Sequence, residues 1–334
     1  MDSFISHSNG WFPRRAFTLL LVAIAAWAGC ILYSTYINPE VVYYSQGDKI
    51  KNAWAKKMTH DYGHKIVVFG GSSCEFSVDG EHMLKNFNLP TVNYGRHAGM
   101  GASIMAEAAL DHLQPGDTLI IALEPSLLTK PLTEPSLAMQ FSFSQRHPEW
   151  LLNPALGIGR VNWFEAANLL RPGGYNVFTM LGKIAMGEPL YRYKVSDFRS
   201  SGWATTDVRL PIDDSNKHGA NLSNNSLLLL QKLRDWCDAR NIHAAYSLPW
   251  AYSPPEKMKS LQKENIQFLL QMTAIFPVLK DSYLGIDTNR ADFADTNYHL
   301  VAAAAETRSD ELAREIINWN VWTTEELKSL EKTF

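Results

Sequence analysis

Residues Lys65–Phe76 read KIVVFGGSSCEF, and no other stretch limits the possible folds as tightly. Ile66–Phe69 is an apolar run rich in β-branched residues, followed by two glycines and two serines. A short apolar run closed by such a turn is a buried strand that delivers the chain to the start of a helix. Glycines at the turn let the backbone approach another group closely, and the first helical N–H groups face any negative charge beyond the strand. Ser72 and Ser73 then have two readings: helix N-caps, or a nucleophile presented at the strand end.

The pattern repeats downstream. Asp79–Phe87 reads as a short amphipathic helix, and Pro90–Asn93 as a second strand. A second glycine turn, YGRHAGMGAS, places Gly95, Arg96, His97, Gly99 and Gly101 before an alanine-rich helix over roughly Ala102–Leu113. A QPGD turn then leads to a third buried strand, Thr118–Leu123, with Glu124 at its carboxyl end. Strands and helices alternating at these lengths predict an α/β fold: right-handed crossovers, a central and mainly parallel sheet, and helices on both faces. Ligands of such sheets bind beyond the carboxyl ends of the strands. Ser72, the Gly95–Gly101 loop and Glu124 all fall on that edge.

From Pro125 to about Asn224 the alternation stops. Prolines, glycines and aromatics such as Phe141, Trp150, Trp163 and Phe164 dominate, with helices expected near Asn162–Leu170 and Asn176–Ala185. This reads as an insertion that covers the site or binds a partner, its aromatics mainly core, ending in a polar loop over Asp207–Asn225. The α/β pattern then resumes with a helix over Leu227–Arg240, a strand over Ile242–Leu248 and a helix over Pro255–Phe276. FADTNYHL, residues 293–300, precedes the last major helix, Val301–Trp319. A histidine at that position reaches back over the sheet edge to the first turn, and Asp295 is close enough to orient its ring. His299 and Asp295 are the base and orienter that a serine nucleophile requires, set against a capping Asp beside an incidental His.

Near the N-terminus, Ala16–Ile37 runs 22 residues without a formal charge. As a helix it spans about 33 Å, against a hydrocarbon core of about 30 Å. Arg14 and Arg15 precede it, which predicts a cytoplasmic tail over 1–15, a single span over 16–37 and the rest outside the cytoplasmic membrane. A cleaved signal peptide and a lipoprotein cysteine at Cys30 are the alternatives; Trp27 and the apolar continuation speak against the second. Residues 38–63 read as a connector with a polar helix around Asp48–Thr59, 64–319 as the outer domain, and 320–334 as a helical tail. With 31 basic against 34 acidic residues and no basic run, nucleic acid is not expected as a partner. Cys30, Cys74 and Cys237 lack metal-ligand spacing, and neither metal nor cofactor is expected.

The order of these motifs resembles the SGNH/GDSL hydrolase family. VVFGGSS is similar to its first block, VNYGRHAGMG to its second and DTNYHL to its last. The likeness is strongest to membrane-anchored bacterial members tied to acylation of envelope polysaccharide or cell wall, over roughly residues 64–128 and 225–318. It implies a three-layer, flavodoxin-like sandwich and an acyl-serine esterase or O-acyltransferase. Ser72, or Ser73 if the block shifts by one, is then the nucleophile, with His299 the base and Asp295 its orienter. The N–H groups of Ser72 and Gly99 would form the oxyanion hole, with Gly95 or Gly101 in reserve for the second. An acyl donor or acylated glycan and a membrane-bound O-acyltransferase or polysaccharide-synthesis partner follow from the same likeness. Two departures favour another class, a non-catalytic scaffold of an envelope polysaccharide machine. Three residues rather than two separate Asp295 from His299, and Glu124 stands where the family's third block has an Asn donor. Glu124 could instead hold Arg96 or His97, or accept a hydrogen bond from substrate.

Overall fold

The computed structural model describes residues 11–131, 136–170, 174–206, 208–212 and 219–333. Helix α1 (Trp11–Leu32) passes through a π-helical turn, Tyr33–Ile37, into α2 (Pro39–Tyr62). Next come β1 (Ile66–Gly70), α3 (Ser72–Glu75), α4 (Gly80–Phe87), β2 (Thr91–Gly95), α5 (Ala102–Leu110) and β3 (Thr118–Ala122). The following segment is helical: α6 (Pro125–Thr129), α7 (Ser136–Gln145), α8 (Glu149–Leu152), α9 (Trp163–Leu169) and α10 (Gly174–Met186). The chain closes with α11 (Asn224–Asp238), β4 (His243–Tyr246), β5 (Ala251–Tyr252), α12 (Pro255–Met272), β6 (Ile286–Asp287), α13 (Ala302–Asn318) and α14 (Thr324–Glu331).

The fold is mixed α/β. The four expected strands form one parallel sheet in the order β2-β1-β3-β4. Ile66 lies opposite both Thr91 and Thr118, and Gly70 opposite both Gly95 and Ala122. Strand order reverses between β1 and β3, so the crevice beyond their carboxyl ends is the switch point where open α/β sheets bind ligands. Alternate side chains leave opposite faces of the strands. Val67, Phe69, Leu119, Ile121 and Tyr246 join the larger core with α2, α5, α7 and α11. Ile66, Val68, Ile120, Ala122 and Ala245 join a smaller one with Met83 of α4 and Leu312 of α13.

Three expectations change. The polar helix expected around Asp48–Thr59 begins at Pro39, capped by Asn38, and is built into the core rather than linking two parts. Its buried stripe is Tyr44, Asp48, Lys51, Ala55 and Met58, spaced four and three. Two of those five are charged, which hides the helical period from a hydrophobicity reading. The segment 125–224 also reaches the core, through the buried Ala138, Met139 and Phe141 of α7. Its aromatics divide: Phe141 and Trp150 are buried as expected, but Trp163 and Phe164 are exposed. The polar stretch 207–225 lies partly outside the described residues, as does most of the tail over 1–15.

Among the described residues one helical stretch, Arg14–Ile37, is long and apolar enough to cross a membrane. Its length and composition fit a single span or a signal sequence.

Candidate functional site

The double glycine of the first turn is explained by contact. A Cβ on Gly70 would sit 2.1 Å from Ala122 O, and one on Gly71 would sit 2.2 Å from Glu124 Oε2. The first approach is to backbone and requires glycine at 70, and the second would force the Glu124 carboxylate out of its place. Glu124 uses the space: its carboxylate accepts Gly71 N–H at 3.2 Å and Ser73 N–H at 3.0 Å. Neither serine is the N-cap of α3. Gly71 takes that position, and the capping acceptor comes from the end of β3. Burial raises the Glu124 carboxyl, and the Ser73 N–H opposes that rise.

The two serines differ in access. Ser72 is partly exposed, whereas Ser73 is sealed, its Oγ near Glu124 without a well-formed hydrogen bond. Cys74 is also buried, with Sγ 3.7 Å from Val68 O and 3.5 Å from Asn93 Oδ1. Burial pushes its thiol well above the ordinary range, which removes it as a nucleophile near neutral pH.

Asp295 and His299 come together as their order suggests. An antiparallel bridge between Phe293 and Leu300 closes the loop, and Thr296 Oγ1 accepts the N–H groups of Tyr298 and His299. Within it, His299 Nδ1 lies 2.8 Å from Asp295 Oδ1. The other carboxylate oxygen, Oδ2, accepts Tyr193 Oη at 2.7 Å and Arg192 Nη1 at 3.0 Å. Burial alone would raise the Asp295 carboxyl, but His299, Tyr193 and Arg192 together hold it far below the ordinary carboxylate range. Phe76, just past α3, stacks on the imidazole with ring centroids 4.2 Å apart and planes 28° from parallel. That contact ties the ring to the C-terminal end of α3, the helix that Ser72 begins. Arg96 N–H donates to Gly70 O at 3.0 Å and Gly71 N–H to Glu124 at 3.2 Å, so the three turns meet along one edge of the sheet. No hydrogen bond joins His299 to Ser72 Oγ in this arrangement.

The second turn differs from what the sequence suggests. Gly99 N–H is given to His97 Nδ1 at 2.9 Å, Gly95 N–H to Asn93 Oδ1 at 2.7 Å and Gly101 N–H to Ala98 O at 3.1 Å. All three expected oxyanion donors are thus engaged locally. Burial, and then the nearby His299, lowers the His97 ring's pKa, consistent with Nδ1 remaining an acceptor. Arg96 does not line the crevice. It is fully buried and forks onto Asp48 of α2 at 2.8 and 3.2 Å, above the rings of Tyr94 and Phe141. Glu124 therefore holds backbone amides rather than Arg96 or His97.

Beneath the turns lies a second buried pair. Lys51 Nζ is 3.5 Å from Glu75 Oε1 and also donates to Gly95 O. It ties α2 to the ends of both α3 and β2. Sequence reading did not find Lys51, Glu75 or Asp48, nor Phe76, Arg192 and Tyr193 at the dyad. The one local trace of the last two is the aromatic–basic run YRYK at 191–194, after the Gly187–Pro189 turn. Among the described residues no group of three or more His, Cys, Asp or Glu is placed to hold a metal. Comparisons of the chain with models of protein families, with curated proteins and with solved structures find no match.

Proposed function

We propose that the chain is a membrane-anchored serine esterase or O-acyltransferase of SGNH-like, three-layer architecture, working on an acylated glycan at the outer face of the cytoplasmic membrane. The observation that carries the reading is the fixed imidazole: Asp295 holds Nδ1, and the ring stacks on Phe76, the residue that ends the short helix begun at Ser72. Ser72 is preferred to Ser73 because only Ser72 is accessible. In this reading Ser72 Oγ attacks the acyl carbonyl while His299 Nε2 takes its proton, and Asp295 stabilises the imidazolium. Collapse of the tetrahedral intermediate returns that proton to the leaving alcohol. A sugar hydroxyl or water then attacks the acyl-serine, so transfer and hydrolysis share one mechanism. The Ser72–His299 hydrogen bond closes when substrate arrives, as catalytic contacts commonly do. Ser72 N–H supplies one oxyanion donor. A membrane-bound O-acyltransferase or a polysaccharide-synthesis protein would supply the acyl group.

A second reading, a non-catalytic scaffold of the same machinery, has its own support. Glu124 occupies the amides flanking Ser72, and the glycine amides of the second turn are satisfied internally. An ionised carboxylate cannot donate to an oxyanion. The deciding experiment treats the full-length protein in nanodiscs with a fluorophosphonate probe and maps the labelled residue. Labelling at Ser72, absent from Ser72→Ala, supports the enzyme. Labelling of wild type no greater than of Ser72→Ala leaves the scaffold.

A further inference from the structure

Helix α10 carries an apolar face with nothing over it. Phe178, Leu181 and Ile184 are 76%, 51% and 55% exposed, and Ala185 shares their side of the helix. Steps of three and four place these residues together on one stripe. The opposite side is mixed, with Thr179 and Lys183 beside Met180, and does not face solvent alone. Thr179, Met180 and Lys183 line a cavity of about 170 Å³ together with Tyr33, Asn38, Pro39 and Glu40. Those four belong to the last turn of the apolar N-terminal stretch and the start of α2. The helix therefore lies beside the point where the chain leaves its apolar stretch, with Thr179, Met180 and Lys183 toward that point and its exposed apolar stripe on another side. A second link fixes the same level: Asn38 Nδ2 donates to Gln140 Oε1 at 3.1 Å, and Gln140 Nε2 donates to Leu169 O at the end of α9 at 3.4 Å.

We infer that α10 is an interfacial helix, its Phe178–Leu181–Ile184–Ala185 stripe sunk into the bilayer that holds the N-terminal span. Continuity with the span selects lipid as the occupant. A surface helix with a strong apolar stripe and a polar opposite side settles about 5–10 Å into the boundary between headgroups and acyl chains. Here the neighbouring span brings the helix to that depth without a separate binding step. Two attachments also fix the orientation of the domain on the membrane, where one span alone would leave it free to rotate. Because Arg192 and Tyr193 follow α10 by a few residues, the clamp on Asp295 is held at a set height above the lipid.

The test places a nitroxide at Leu181→Cys in the full-length protein in phospholipid nanodiscs, on a Cys30→Ser background that leaves only the buried Cys74 and Cys237. Collision rates with oxygen, which partitions into lipid, and with a water-soluble nickel chelate report the surroundings. The expected result is an oxygen-to-nickel ratio several-fold above that of a label at the exposed Lys263→Cys. A label at Phe178→Cys should behave like the one at Leu181, which guards against a single disruptive substitution. Nickel access at both stripe positions equal to that at 263 would overturn the inference by showing a stripe in water. Shielding from both reagents would overturn it by showing a protein, or a second copy, on that face.

Discussion

Tyr193 Oη donates to Asp295 Oδ2 at 2.7 Å, while Asp295 Oδ1 holds His299 Nδ1 at 2.8 Å. A residue just past α10 thereby sets the carboxylate that sets the imidazole, across 102 positions of sequence. Tyr193→Phe keeps the ring and removes the donor. Its hydrolysis of p-nitrophenyl acetate and its fluorophosphonate labelling should slow by about tenfold, the scale of one hydrogen bond to a charged group. Asp295→Asn should cost more, about 100-fold or beyond, since it removes charge and orientation together. A Tyr193→Phe rate equal to wild type would make the tyrosine a packing residue only.

The accessibility of Ser72 against Ser73 gives a sharper contrast. Ser72→Ala and His299→Ala should each abolish labelling, and the double variant should be no worse, because either loss disables one nucleophile. Ser73→Ala and Cys74→Ala should keep most activity. Labelling that follows Ser73 or Cys74 would remove Ser72 from the mechanism. Circular dichroism and melting of each variant separate chemistry from folding.

Gly71 and Glu124 should behave as one unit. A Cβ at position 71 meets the Glu124 carboxylate at 2.2 Å. Gly71→Ala should therefore destabilise the protein by roughly 1–3 kcal/mol, the usual range for overpacking. Glu124→Ala should also destabilise, because the cap on Gly71 and Ser73 N–H is lost. The double variant should be less damaged than the sum, since the clash disappears with the carboxylate. Additive losses in thermal unfolding would show that the crowding lies elsewhere.

Glu75 gives a pH dependence. Burial raises its carboxyl to about 7, with Lys51 pulling the other way, against about 4.3 in an unfolded chain. Between those values the folded protein keeps a proton that the unfolded chain releases. The group's contribution to stability is thus complete below the unfolded value and is lost as pH rises to about 7. Glu75→Gln has no such proton. The stability of wild type relative to the variant should fall as pH rises toward 7, by at most about 1.4 kcal/mol per unit, and level off above it. A difference independent of pH would place the Glu75 titration elsewhere.

The sequence by itself determined the sheet. β1 and β3 are apolar runs, β2 and β4 partly polar ones, each bounded by turn residues, and every one buries three or more of its residues. Local chemistry suffices for such strands, because burial on both faces writes itself into consecutive residues. The glycine turns, the Asp295–His299 pair and the apolar N-terminal helix were legible for the same reason: each is specified within a few residues. What surrounds them was not. Asp48 and Lys51 lie within a helix read only as polar, and their partners Arg96 and Glu75 are brought to them from other elements. Nothing local beyond the YRYK run singles out Arg192 and Tyr193; tertiary packing carries them to Asp295. Glu124 read as a possible partner for Arg96 or His97, but registry between β1 and β3 points it at the amides of the first turn. Pairings over such distances leave no period and no spacing in the chain. They follow from the register and packing of the folded elements, so the fold was decided locally and the electrostatics of the crevice by tertiary structure alone.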